Sequence, residues 1–406
     1  MEDIRAKSHE QVTIRTQKAP RMANLELLRC IAMMLVIVLH FLGKGGLLAD
    51  LTGESLGATG TVAWLLECFA IVAVNVYMLI SGYFLCMSSF KLSRLLQLLL
   101  QIWFYSVSFG LIGALTGVLA EVSFDTHYLL TLVFPVAMEH YWFMTAYVFL
   151  YLLIPFVGPA VLKMSKQQMQ YAILFLLMAF SVMKSVLPIR LETDELGYDC
   201  LWYLCVFLTA VYMRRFGIPI LEKKWRGILL YVVGCLLIFA GTLGLRQVYL
   251  HTGSLERILK ICLEYNHILP FAAAIGLFVA FSRLQVADKI SRVINALAPC
   301  TLGVYLLHEN IGLRYSWQKW LGAEKVDSVG SLLLWTVMAV VSVFVCGVFA
   351  DSIRRWIFTM AHKLFGKVGL YRKLVDKVYA VDDIFRCKKD VPVSIDANVC
   401  IDEGDK

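Results

Sequence analysis

Residues 25–42 read LELLRCIAMMLVIVLHFL, an apolar run from Leu25 to Leu42 long enough to cross a bilayer and interrupted by Arg29 and His40. These two residues lie eleven positions apart. At about 100° per residue that spacing is three helical turns plus about 20°, so both side chains fall on one stripe, separated by about 16 Å along the axis. Burying an ionisable group in hydrocarbon is costly, and such groups within a span face a protein interior or a wet cavity and mark function. Arg29 and His40 are therefore the first candidate site residues.

The rest of the chain agrees with a membrane setting. Of 406 residues, 59% are hydrophobic and 17% charged, and the mean hydropathy is +0.71, far from the soluble range. The composition predicts an all-α polytopic membrane protein with about ten transmembrane helices. Apolar stretches of span length occur at 25–42, 62–86, 95–119, 141–157, 170–188, 199–216, 227–249, 265–282, 294–314 and 329–353. Residues 128–138 are also apolar but contain Pro135, which suits a half-span or re-entrant piece rather than an eleventh crossing. A cytoplasmic tail over 1–23, a transmembrane domain over 24–353, a basic amphipathic helix over 354–380 on the inner surface and a disordered polar tail over 381–406 complete the expected organisation.

Loop charge gives an orientation. With the N-terminus inside, the inner loops hold twelve basic residues, from Lys91 and Arg94 to Lys289 and Arg292, against six outside: Lys44, Arg190, Arg257, Lys260, Lys319 and Lys325. That bias follows the positive-inside rule and places both termini in the cytoplasm. The formal charge of +8 is scattered over short loops with no basic domain, so no nucleic-acid partner is expected. Eleven Cys occur as singles with no CxxC, which argues against a disulfide framework and against a metal site. The first apolar run is span-length and is expected to be retained rather than cleaved.

On this topology, polar residues sort to two depths. Ser81, Gly82 and Tyr83 arrive at the level of Arg29, with Asn75 midway; Glu67, His140, Tyr141, Trp142, Tyr305, His308 and Glu309 arrive near the level of His40. His140 reads as interfacial, and Tyr141 and Trp142 suit either the interfacial aromatic belt or a site. Gly82 suits either a substrate channel or the close approach of two helices.

Arg29, ten intervening residues and His40 resemble the arginine (or lysine), ten residues, histidine signature of the membrane-bound acyltransferase 3 family. The segment from Val74 to Tyr83, ending Ser81-Gly82-Tyr83, is similar to that family's Ser-Gly-aromatic helix. Tyr141-Trp142-Phe143 with Tyr151-Leu152-Leu153-Ile154-Pro155 resembles its Trp-containing helix, and Gly303-Val304-Tyr305-Leu306-Leu307-His308 its late motif. The resemblance implies O-acyl transfer from a cytoplasmic acyl-CoA, commonly acetyl-CoA, to a sugar hydroxyl of a cell-surface glycan or exported glycoside at the cell membrane. It implies no tightly bound cofactor, and the chain matches the short form without an appended extracytoplasmic domain.

The chemistry of that reaction assigns expected roles. An attacking hydroxyl must lose its proton, and imidazole titrates near neutral pH, so His40 is the candidate general base. Its second nitrogen needs a partner, for which Glu67, Glu309 and a backbone carbonyl are the choices. Arg29 suits the phosphates or amides of CoA, Ser81 and Gly82 its thin arm, and Trp142 and Tyr141 a sugar face; His308 and Glu309 are further candidates. Tyr83, Tyr305 and Asn75 are candidate donors to the tetrahedral oxyanion. The competing class is a membrane transporter or polysaccharide exporter, which would more typically show an internal repeat with paired broken helices; no duplication is visible.

Overall fold

The computed structural model describes residues 22–116, 125–187 and 194–385, and among them no strand occurs. Most of the expected N- and C-terminal tails lies outside the described residues. In chain order the helices are α1 Ala23–Lys44, α2 Gly57–Ala70, α3 Ala73–Leu85, α4 Leu92–Thr116, α5 Thr126–Val133, α6 Trp142–Lys163, α7 Lys166–Leu177 and α8 Met183–Val186. They continue with α9 Cys200–Phe216, α10 Lys224–Thr252, α11 Ile268–Ser282, α12 Asp288–Leu297, α13 Thr301–His308, α14 Trp317–Trp320, α15 Val329–Phe365 and α16 Gly369–Ile384. The all-α polytopic architecture is the one the composition predicts.

Nine stretches among the described residues are long and apolar enough to cross a membrane. The tenth expected span, 199–216, is the 17-residue α9, about 26 Å long, and eleven of its residues are buried. It lies within the bundle. α1 is buried over 61% of its span and α10 over only 22%, which makes α1 a central helix and α10 a peripheral one. Outward-facing Phe149, Phe156, Phe175, Leu237, Val337 and Phe349 are exposed, as a lipid-facing surface requires.

Several expected spans are interrupted, each with a local reason. The 62–86 stretch is two helices, and the carbonyl of Phe69 freed at the break accepts from the Tyr231 hydroxyl at 2.8 Å. The 294–314 stretch breaks at a 3₁₀ turn over Ala298–Cys300 that contains Pro299, where proline removes a backbone donor. It then ends at His308, short of the expected 314, because the Asn310 side chain accepts from the Gly312 N–H at 3.2 Å and closes a turn. α5 spans 8 residues, about 12 Å, and stops before Pro135, too short to be a crossing. α7 reaches α8 through a π-helical turn at Met178–Val182.

The expected amphipathic helix over 354–380 is differently built. Residues 354–365 continue α15, and α16 is a separate helix that runs to Ile384, past the expected start of the tail. Its end docks on the bundle. Asp382 accepts from the Ser93 N–H at 3.0 Å and from the Ser93 hydroxyl, satisfying donors in the first turn of α4, and Phe385 packs edge-on against Phe90 at 5.1 Å.

Small residues set the close approaches. Gly227 and Gly276 face each other where α10 meets α11, so that a Cβ on either would fall within 2.9 Å of the opposing backbone, the small-residue packing typical of membrane helices. Arg215 near the end of α9 donates to the carbonyls of Val161 and Met164 at 3.1 and 3.0 Å. It covers the C-terminus of α6.

Candidate active site

A cavity of about 310 Å³ lies beside α1, and both Arg29 and His40 line it. Their shared helical face explains this. Along with them, α3 contributes Val74, Tyr77 and Ser81, α4 contributes Arg94, α6 contributes Trp142, Tyr147 and Tyr151, and α13 contributes Tyr305. The volume suits a small or slender ligand.

One end of the cavity is a hydrogen-bonded chain of titratable groups. His308 Nδ1 lies 2.7 Å from the carbonyl of Val304, one turn back on α13. A carbonyl only accepts, so that nitrogen carries the proton and Nε2 is left with its lone pair. His40 Nδ1 is 3.0 Å from His308 Nε2 and 3.2 Å from Glu309 Oε1. Both are acceptors, so His40 is protonated on Nδ1. Its Nε2 has no partner among the described residues, and the residue lines the cavity. The tautomer thus presents a free lone pair.

The charge of this cluster is balanced locally. The Lys44 ammonium, one turn beyond His40, pairs with Glu309. Arg314 donates to the carbonyl of Glu309 from Nε at 3.1 Å and from a terminal nitrogen at 2.9 Å, and also to the carbonyl of His140. Gln318 donates to the carbonyl of His40 at 3.2 Å, and the Trp317 indole to that of His308 at 3.1 Å. Every element that carries the cluster is tied to another.

The other end differs. Arg29 pairs with Glu26 at 2.8 Å on its own helix, the Tyr77 hydroxyl donates to the Arg29 carbonyl at 3.0 Å, and Arg94 and Tyr147 line the same cavity. That end is cationic and aromatic.

Trp142 lies on the wall between, stacked 5.8 Å from Tyr265 and tilted against Tyr198 at 4.3 Å. Asn75 does not reach the cavity: it is fully buried, donates to the Tyr265 carbonyl at 2.7 Å and accepts from the Trp202 indole at 2.9 Å. It holds that wall in place.

A family model described as an acyltransferase domain matches residues 22–351. The chain belongs to the acyltransferase 3 family. No match arises among curated proteins or among solved structures. The family makes this protein a membrane acyltransferase, and its match covers every element that lines the cavity.

In this acyltransferase several expected site residues have other places. Glu67 is not a partner of His40; Glu309 and His308 hold that position, while one Glu67 carboxylate oxygen is buried without a hydrogen-bond partner on α2. Gly82 faces α9, where a Cβ would come 2.8 Å from the Ala210 Cβ, so it serves helix packing. Tyr83 turns to Phe278 and lies under the Arg214 guanidinium at 4.3 Å. Tyr141 is buried behind the wall, stacked 4.0 Å from His140, with its hydroxyl donating to the Leu306 carbonyl at 3.0 Å.

His140 is not interfacial but buried. Its Nε2 accepts from the Ile311 N–H at 2.8 Å and its Nδ1 faces the Ser106 hydroxyl at 2.9 Å, so both ring nitrogens are consumed.

Sequence reasoning passed over two cations of this candidate site. Lys44 lies four residues after His40 and so on the same face, a signal available in the chain. Arg94 counts among loop charges by hydropathy but opens α4 toward the cavity. The cluster also bears on metals, because ligand atoms of His40, His308 and Glu309 lie within 4.8 Å of one another. The spacing rule based on Cys overlooks such a set. Lys44, already paired with the same Glu309 oxygen, supplies the positive charge that an ion would bring there.

Proposed function

We propose that this protein is an O-acyltransferase that moves an acyl group, in the simplest case acetyl, from acyl-CoA to a sugar hydroxyl of a cell-surface glycan or exported glycoside. The supporting observation is the His40 relay at one end of a cavity whose other end carries Arg29 and Arg94. The Arg29 end faces the cytoplasm in this reading, with both termini on that side of the cell membrane.

The guanidinium groups bind the phosphates or amides of CoA by charge-assisted hydrogen bonds. Its extended pantetheine arm is comparable to the roughly 16 Å between Arg29 and His40, so the thioester reaches the base while the nucleotide stays at the entrance. Ser81 lines this path and Trp142 offers its ring to a sugar face. His40 Nε2 takes the proton of the acceptor hydroxyl as its oxygen attacks the thioester carbon. Nδ1–H, donated to His308 with the Glu309 carboxylate 3.2 Å away, stabilises the imidazolium that forms. Collapse breaks the carbon–sulfur bond, and the departing thiolate takes the proton back from His40.

Mass spectrometry of surface glycans from cells with and without the gene tests this reading. A loss of one acyl group per modified sugar supports it. Loss of the whole polymer from the surface would favour the exporter instead.

A further inference from the structure

Ester formation through a tetrahedral intermediate needs donors for the oxygen that becomes negative, and neither His40 nor Arg29 is placed to provide them. Of the three side chains that the sequence offers for this role, two are committed elsewhere. Both amide atoms of Asn75 are bonded within the wall, and Tyr83 is turned to Phe278 and Arg214. Tyr305 remains.

Tyr305 lines the cavity with only 6% of its surface exposed, and its hydroxyl proton has no acceptor among the described residues. It lies on the same face of α13 as His308 and Glu309, three and four residues ahead of them, with its ring 6.1 Å from that of His308. Its ring packs against that of Phe143, in the first turn of α6, at 5.9 Å.

The N-terminus of α6 has donors to spare. The N–H groups of Met144 and Thr145 are taken by the Tyr141 carbonyl at 2.8 and 3.0 Å. Those of Trp142 and Phe143 have no carbonyl acceptor among the described residues, and the 22-residue α6 directs the positive end of its dipole the same way. Trp142 and Phe143 both line the cavity.

We propose that the Tyr305 hydroxyl, backed by the N-terminus of α6, is the oxyanion hole of the acyl transfer. As the acceptor oxygen bonds to the thioester carbon, the carbonyl π electrons move to its oxygen, and Tyr305 donates to that oxyanion. When the carbonyl re-forms, the carbon–sulfur bond breaks and CoA leaves as the thiol, carrying the proton that His40 had taken. The assignment rests on the acyl-CoA reading above and adds a catalytic residue to it.

Tyr305→Phe removes the hydroxyl and keeps the ring. The expected result, read as thiol release from acetyl-CoA by membranes carrying the protein and their own glycans, is a kcat lower by roughly 10²- to 10³-fold with KM for acetyl-CoA little changed.

A pair of inhibitors separates chemistry from shape: S-ethyl-CoA, which has no carbonyl, and a CoA trifluoromethyl ketone, which becomes tetrahedral by adding water. The wild type prefers the ketone; Tyr305→Phe keeps its affinity for S-ethyl-CoA and loses that preference. An unchanged kcat in the variant overturns the oxyanion role while leaving acyl transfer intact, as does an equal loss of affinity for both inhibitors, which marks a structural role. Absence of glycan-dependent thiol release in the wild type overturns the acyl-CoA reading itself, and this assignment with it.

Discussion

His40 and Lys184 both lie on apolar helices where an ionisable group is costly, yet their surroundings differ in kind. Lys184 is 1% exposed and is fully consumed. Its ammonium meets Asp194 at 2.7 Å, Glu264 at 2.6 Å and the Asn266 side-chain Oδ1 at 2.6 Å, while the Asn266 side-chain amide donates to Asp194 at 2.6 Å. That cluster ties the end of α8 to the segment before α11. The His40 cluster is just as connected on one side, through His308, Glu309 and Lys44, but the Nε2 of His40 is uncommitted and the residue lines a cavity. Buried charge alone does not make a site; a lone pair left over beside open space does.

Four substitutions break or sharpen this contrast, ordered by their expected effect on turnover. His40→Ala removes the proposed base and should lower acyl transfer by roughly 10²- to 10⁴-fold, measured as thiol release at equal protein level. Glu309→Gln keeps the shape but removes the charge that faces His40 Nδ1–H and balances Lys44. On the order of 10²-fold or more should be lost from kcat, with KM for acyl-CoA preserved. Arg29→Ala takes away a charge-assisted contact worth about 1.5–3 kcal/mol, so KM for acyl-CoA should rise by about ten- to a hundredfold while acceptor dependence stays the same.

Lys184→Met closes the series. It leaves Asp194 and Glu264 without their shared cation, which should destabilise the protein by about 3–5 kcal/mol and lower its midpoint of thermal unfolding in detergent. Turnover per folded molecule should not change. A Lys184 variant that folds normally but cannot transfer acyl groups would erase the distinction between the two clusters.

The sequence makes some of this legible and hides the rest for physical reasons. Arg29 and His40 share a cavity because helical periodicity is a local property, and the same holds for Ser81 on α3. The site partners of His40 are another matter. Glu67 and Glu309 are equally plausible by depth alone, and only the break at Pro299 and the turn at Asn310, which set the rotation of α13, bring Glu309 to it. Gly82 and Tyr83 follow Ser81 directly but point 100° and 200° around the helix from it, toward α9 and Phe278. Depth in the membrane is readable from hydropathy; azimuth comes from tertiary packing.

Lys44 and Lys184 show two further limits. Hydropathy places Lys44 in a loop, although α1 continues through it as its last residue. Lys184 lies within the expected 170–188 span, and its neutralising carboxylates come from residues 10 and 80 positions on, which no local pattern connects.

The central claim is that His40 acts as the base through its free Nε2. The direct test is acyl transfer by membranes carrying His40→Ala at wild-type abundance, measured with and without added imidazole. The account predicts almost no transfer without imidazole and partial recovery with it, as the small base enters the space the side chain vacated. Transfer at the wild-type rate in the absence of imidazole would contradict it.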